Sequence, residues 1–150
     1  MTPFKPIPIP SSIADVTPDL CRSVFVGILG GTVDKKPTRW LEGKTICSDI
    51  RWRLNGQVFG SESFNLFKNI ADTKLLDKWV VGNGLGMVVV LRKATKLLES
   101  DETRYVFDVQ IGSTKKRKIN FTTVRHTAKT EEMARACAII DAHNKLKEES

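Results

Sequence analysis

From Tyr105 to Ile111 every second residue is large and apolar: Tyr105, Phe107, Val109 and Ile111 alternate with Val106, Asp108 and Gln110. Side chains along an extended strand point to opposite faces in turn, so this spacing predicts a strand over 104–111 with one face covered and the other wet. A strand of that kind needs partners, and the chain offers several. Residues 22–31 form an apolar, β-branched run that ends in Gly30-Gly31, which reads as a buried strand and a turn. Residues 34–43 are polar and contain Pro37, the composition of a loop. Ile46, Ile50, Trp52 and Leu54 then fall on alternate positions of a second strand over 44–54, closed by the turn pair Asn55-Gly56. A third strand fits 62–67, with Phe64 and Leu66 on one face and Asn65 and Phe67 on the other. Ile70, Leu75, Leu76 and Trp79 follow a helical stripe over 70–79, stopped by glycines at 82–86, and 87–91 is a dense fourth strand. Residues 94–103 read as a polar connection to the strand at 104–111. The run Lys115-Lys116-Arg117-Lys118 reads as a basic turn into a further strand carrying Ile119 and Phe121.

Five of the six prolines lie at positions 3, 6, 8, 10 and 18. Proline withholds a backbone donor and restricts φ, so residues 1–19 are expected to be an extended or disordered arm. At the other end, Thr130-Glu131-Glu132 precedes Met133, Cys137, Ile140 and Leu146, the pattern of a capped amphipathic helix over 128–150. Its Met133, Cys137 and Ile140 fit either an interface between copies or a cap on the sheet. With 150 residues in all, the expectation is one domain over 20–127 flanked by these two segments.

Lysine and arginine number 24 against 17 acids, a net charge of +7, so the surface field favours polyanions. No apolar run approaches the roughly 18 residues that cross a bilayer, and residues 1–10 lack the basic-then-apolar order of a signal peptide. The expected setting is therefore soluble and intracellular, without a membrane partner. Cys21, Cys47 and Cys137 are odd in number and widely spaced, which argues for buried or idle thiols over a metal site or disulfide framework. His126 and His143 stand apart from them and from each other. Gly82-Asn83-Gly84-Leu85-Gly86 lacks the Lys-Ser/Thr ending of a phosphate-cradling loop and is followed by a strand, so it reads as a turn. No acid pair or Ser-His constellation stands out in the linear sequence. The expectation is a binding protein, not an enzyme, with no catalytic residue, metal or cofactor.

The order strand, strand, strand, helix, glycine turn, strand, loop, strand is the plan of a five-stranded OB barrel, whose helix lies between strands three and four. Val24-Phe25-Val26-Gly27-Ile28-Leu29-Gly30 is similar to the opening strand of the bacterial and phage-type single-stranded DNA-binding proteins. Phe64-Asn65-Leu66-Phe67-Lys68-Asn69-Ile70-Ala71-Asp72 resembles that family's third strand running into its helix. Gly82-Asn83-Gly84 falls at its helix-to-strand turn, and Arg104-Tyr105-Val106-Phe107-Asp108-Val109 resembles its fifth strand. The likeness covers residues 22–111. It implies sequence-nonspecific binding of single-stranded DNA in replication, recombination or repair, by a homo-oligomer. The chain departs from the family at its end, where Lys145-Leu146-Lys147-Glu148-Glu149-Ser150 replaces an acidic tail with a hydrophobic tip. An RNA-binding protein, viral or organellar, and a PH-like protein-interaction module are the alternatives.

An unpaired strand exposes phosphates and flat base faces together, so its binder needs cations and aromatic platforms side by side. Arg39-Trp40 and Arg51-Trp52-Arg53 place tryptophan beside guanidinium. Arg92, Lys93 and Lys96 are the cations of the connection between the fourth and fifth strands, and Tyr105 adds a ring. Lys115, Lys116, Arg117 and Lys118 form the basic turn.

Overall fold

The computed structural model describes residues 5–60, 64–82, 87–91, 95–99, 102–115 and 118–148; within these, 81–104 and 110–122 are described by backbone alone. The architecture mixes helices with several antiparallel sheets, and the described strands form no closed barrel. No helix among the described residues is long and apolar enough to cross a membrane.

After a 3₁₀ turn at Ile13–Asp15 the chain enters helix α1, Pro18–Gly27. The apolar run expected as a first strand is therefore helical, and α1 crosses the division expected at residue 19. The local chemistry explains this. Thr17 caps the helix by accepting the Leu20 N–H at 3.1 Å, Pro18 sits in the first turn where its missing donor is harmless, and Asp19 meets the positive helix end. Leu20, Cys21, Val24, Phe25 and Ile28 then bury one stripe, whereas Val26 points outward. Gly30, at φ 73°, turns the chain out of the helix, and the Gly31 N–H closes on the Phe25 carbonyl at 3.1 Å. Gly31 also has to be glycine, because a Cβ there would lie 2.3 Å from the Phe25 ring.

Two small sheets follow. Strands β1 (Thr32–Val33), β4 (Arg51–Leu54) and β5 (Gln57–Gly60) form one in the order β1-β4-β5, while β2 (Thr38–Glu42) and β3 (Thr45–Asp49) pair only with each other. The predicted single strand over 44–54 is thus two, and the expected loop at 34–43 contains β2. The two-residue connection Gly43-Lys44, with Gly43 at φ 62°, closes β2 onto β3. The Asn55-Gly56 turn forms as expected, with φ of 48° and 83° matching the primed turn that a twisted hairpin prefers.

Residues 64–67 are not a strand. The Asn65 side chain accepts the N–H groups of Phe67 and Lys68 at 2.9 and 3.1 Å, bending the backbone so that Phe64, Leu66 and Phe67 all face inward. Asn69 caps the short helix α2 (Ile70–Thr73), and α3 (Leu75–Gly82) continues it, so the predicted helix is present but broken at Lys74. Thr73 is fully buried, donating its hydroxyl to the Leu66 carbonyl at 2.7 Å, and this ties α2 to the turn before it.

The remaining strands are β6 (Met87–Leu91), β7 (Thr95–Glu99), β8 (Glu102–Lys115) and β9 (Lys118–Ala128). Strand β7 occupies half of the stretch expected as a polar connection, and β8 begins inside it at Glu102. β9 pairs β8 from Tyr105 to Lys115, whereas β6 and β7 share the opposite edge of β8, at 109–113 and 102–106. The apolar alternation from Tyr105 to Ile111 is the middle of β8.

Helix α4, Glu131–Glu148, is capped by Thr130, whose hydroxyl accepts the Met133 N–H at 3.2 Å. It was expected to be amphipathic; instead every residue from Met133 to Ile140 is buried. A helix buried all round must be covered on every side. β8 and β9 cover one side, α2 and α3 another, and the N-terminal arm with α1 a third. Met133, Cys137 and Ile140 thus pack within the chain. The arm's hold is specific: Asn144 accepts the Ile7 N–H at 3.0 Å and donates to the Ile7 carbonyl at 2.8 Å, and the Cys137 thiol donates to the Pro10 carbonyl at 3.6 Å. Asn144→Ala would remove both bonds to the half-buried Ile7 backbone, with an expected cost of about 1–2 kcal/mol. Hydrogen exchange at the Ile7 amide should accelerate while the Val109 and Val124 amides lose only the global difference; unchanged exchange at Ile7 would show the contact to be idle.

Candidate nucleic-acid interface

The hairpin β2–β3 determines what the two arginine–tryptophan motifs do. Directly opposed residues share a face in an antiparallel pair, so Trp40 lies with Cys47, and Leu41 with Ile46, on opposite faces. Arg39 therefore sits on the Leu41/Ile46 face, away from its sequence neighbour Trp40. The guanidinium that meets Trp40 comes from β4: the Arg51 Cζ lies 5.0 Å from the ring centroid, a cation–π contact on a half-buried tryptophan.

Trp52 takes no part in this surface. It is 5% exposed, its ring 5.0 Å from Phe25 and 5.4 Å from Phe64, and these aromatics with Phe59 fill the space between α1 and the β1-β4-β5 sheet. As a stacking platform for a base it is excluded by burial. Arg53 is paired: its Nε and one terminal nitrogen donate to the two Asp34 carboxylate oxygens at 3.1 and 3.2 Å. That pair, together with the Asp34 charge, raises the Arg53 pKa above its ordinary value.

Of the other predicted site residues, Tyr105 is half-buried against the core, opposite Ala128 on β9 and Lys96 on β7. Lys115 and Lys118 face each other across the β8–β9 pair, so the backbone brings these two together at one end of the long sheet. Arg92, Lys93, Lys116 and Arg117 lie outside the described residues. The structure thus joins Arg51 with Trp40, separates Arg39 from Trp40, buries Trp52, and leaves Arg53 on the surface with its guanidinium engaged by Asp34.

Sequence reading passed over Lys35 and Arg22. Both line a cleft of about 530 Å³, with Val26, Thr32 and Ile50, at the base of the hairpin between α1 and β1. The doublet Lys35-Lys36, four residues from Arg39, was a usable signal; Arg22 was hidden inside a segment read as strand. From residue 34 to residue 53 the hairpin region carries Lys35, Lys36, Arg39, Lys44, Arg51 and Arg53 against Asp34, Glu42 and Asp49. Its field is positive, with the Trp40 ring embedded in it. Leu41 and Ile46, 71% and 73% exposed, add an apolar pair on the opposite face.

Two of the three thiols are quiet. Burial, and next the Asp141 charge, push the Cys137 thiol up to about 11, and burial likewise raises Cys21, so neither is a thiolate near neutrality. Among the described residues no group of three or more His, Cys, Asp and Glu side chains could hold a metal ion.

No protein-family model, curated protein or solved structure matches this chain.

Proposed function

We propose that the chain is a binding protein for single-stranded nucleic acid, largely indifferent to sequence, with DNA as the ligand and RNA as the alternative, serving replication, recombination or repair. The observation that carries this reading is Trp40 under Arg51 in a hairpin rich in lysine and arginine. A base stacked on such a ring contributes about 1–3 kcal/mol, more than an exposed ion pair at about 0–1 kcal/mol, so the ring dominates contact energy and the cations dominate salt dependence. The finer assignment of the architecture, an OB barrel, belongs to the same proposal. It is supported by the helix at 70–82 standing before the strand Met87–Leu91, and by 104–111 lying within β8.

The test is a salt-series titration of the full chain with polydeoxythymidine, polyuridine and a duplex. Trp40→Ala should weaken strand binding about 5- to 150-fold with an unchanged salt slope. Arg39→Gln with Arg51→Gln should flatten the log–log salt slope by about one for each phosphate that is no longer neutralised. No binding in dilute buffer, or full affinity in Trp40→Ala, would end this reading. In that event the exposed Leu41/Ile46 pair favours the protein-interaction alternative.

A further inference from the structure

A second cleft, about 650 Å³, opens where the N-terminal arm crosses α1 and the end of α4. Lys5 and Ile7 of the arm, Arg22 and Gly27 of α1, and His143 and Lys147 of α4 line it. Three cations and an imidazole converge from three separate elements, and no carboxylate is among the lining residues. Lys5 and Arg22 make no ion pair among the described residues. Surface lysines and arginines ordinarily alternate with acids or fan out into water. Here the packing of the arm draws them together instead. The arm passes close over Gly27, where an added Cβ would sit 3.3 Å from the Ile7 side chain, tighter than an ordinary contact.

We propose that this cleft is a binding site for a phosphate monoester or free phosphate, a compact dianion held by Lys5, Arg22 and Lys147 with His143 at its floor. The proposal does not require the strand-binding reading of the hairpin. A fork of guanidinium and ammonium donors suits tetrahedral oxygens, and charge-assisted bonds to them are the strong class of hydrogen bond. Phosphate carries close to two charges at neutrality, against one for an internal phosphodiester, so three converging cations favour a terminal or free phosphate.

His143 gives the site a reporter. Its ring is 3% exposed and is held by the Gly27 carbonyl at the end of α1, by Asn144 beside it and by the Trp79 ring of α3 at 5.5 Å. Burial first, and the Lys147 charge second, hold its pKa below the ordinary 6.5, so at neutral pH the ring is uncharged. Lys5 and Arg22, from the arm and α1, add like charge along the same cleft. A bound dianion offsets all three cations, so occupancy must raise the His143 pKa, and by linkage binding must take up protons as pH falls through it.

The experiment titrates the full chain with sodium phosphate against sodium chloride at equal ionic strength, following the His143 imidazole signals by NMR. Phosphate should shift the His143 titration upward in a saturable way, and chloride should not. Arg22→Gln with Lys147→Gln, both exposed positions, should weaken phosphate binding about tenfold or more, while Lys129→Gln, which lines a separate cleft, leaves it unchanged. Lys5→Gln, in the arm and away from the hairpin-base cleft that Arg22 also lines, provides a variant confined to this site with the same expected direction. A tetrathymidylate with a 5′-phosphate, compared with its 5′-hydroxyl counterpart, separates the sources. Preferential binding of the phosphorylated strand, erased in the double variant, assigns the site to strand ends; equal binding of the two strands beside saturable phosphate binding assigns it to the free anion. The 5′-hydroxyl strand alone reads the hairpin, so either proposal can fail without hiding the other. Absence of a saturable phosphate response, or a response as strong in both cleft variants as in the parent chain, overturns the site.

Discussion

Trp52→Ala is expected to lower the unfolding free energy by about 3–5 kcal/mol, whereas Trp40→Ala should change it by less than about 1 kcal/mol. Both tryptophans directly follow an arginine in the sequence, yet only Trp52 sits in the core. Removing the Trp52 indole opens a void against Phe25 and Phe64, whose rings lie 5.0 and 5.4 Å away and cannot collapse freely. Because the indole Nε1 has no hydrogen-bond partner among the described residues, Trp52→Phe should cost much less, its loss being one of volume alone. Urea unfolding of the three variants measures this. A Trp40→Ala loss equal to that of Trp52→Ala would reverse the assignment of core and surface.

The second large effect is expected at Arg135, on the buried stretch of α4. Its guanidinium donates to both Asp77 oxygens at 2.9 and 2.7 Å and to Glu131 at 2.7 Å, and its Cζ lies 4.6 Å from the Phe107 ring centroid. Burial opposes the charge, but Glu131 and Asp77 together more than offset it, and the pKa stays above the ordinary arginine value. Breaking such a pair by removing one partner usually costs about 3–5 kcal/mol, because the other charge is stranded. Asp77 and Glu131 reach water, at 23% and 36% side-chain exposure, so the stranded charges are partly hydrated and Arg135→Met is expected at the lower end of that range, about 3 kcal/mol. Arg53 and Arg125 also grip carboxylates, Asp34 and Asp108, but their own side chains are 51% and 66% exposed. Arg53→Met and Arg125→Met should therefore stay within about 1 kcal/mol. Thermal unfolding of the three variants decides the ranking, and a neutral Arg135→Met would show that the contact adds nothing to packing.

How legible the fold was depended on how local its causes were. The strand at 104–111, the Asn55-Gly56 turn, the strand at 87–91 and the Thr130-capped helix were readable because period, turn chemistry and capping act within a few residues. The segment at 22–31 was misread because a short apolar run fits a buried strand or a buried helix equally well. The deciding signal, Thr17-Pro18-Asp19, lay inside a proline-rich stretch set aside as an arm. The Phe64–Phe67 run failed similarly: its alternation suggested a strand, but the Asn65 side chain supplied backbone bonds that a strand would have taken from a neighbour.

The candidate site followed the same division. Adjacent residues in a strand point apart, so Arg39-Trp40 and Arg51-Trp52 could not each act as a unit, and only the pairing of β2 with β3 and the course of β4 show that Arg51 serves Trp40. By itself the sequence determined the positive charge, several strands, the turn between β4 and β5 and the helical C-terminus, all properties of single residues or short windows. Only the tertiary structure decided which tryptophan is core, which arginine is paired, that α4 is wrapped on every side, and that Lys5, Arg22 and Lys147 meet. Those outcomes depend on which distant surfaces exclude water from one another, and contacts of that kind leave no periodic trace along the chain.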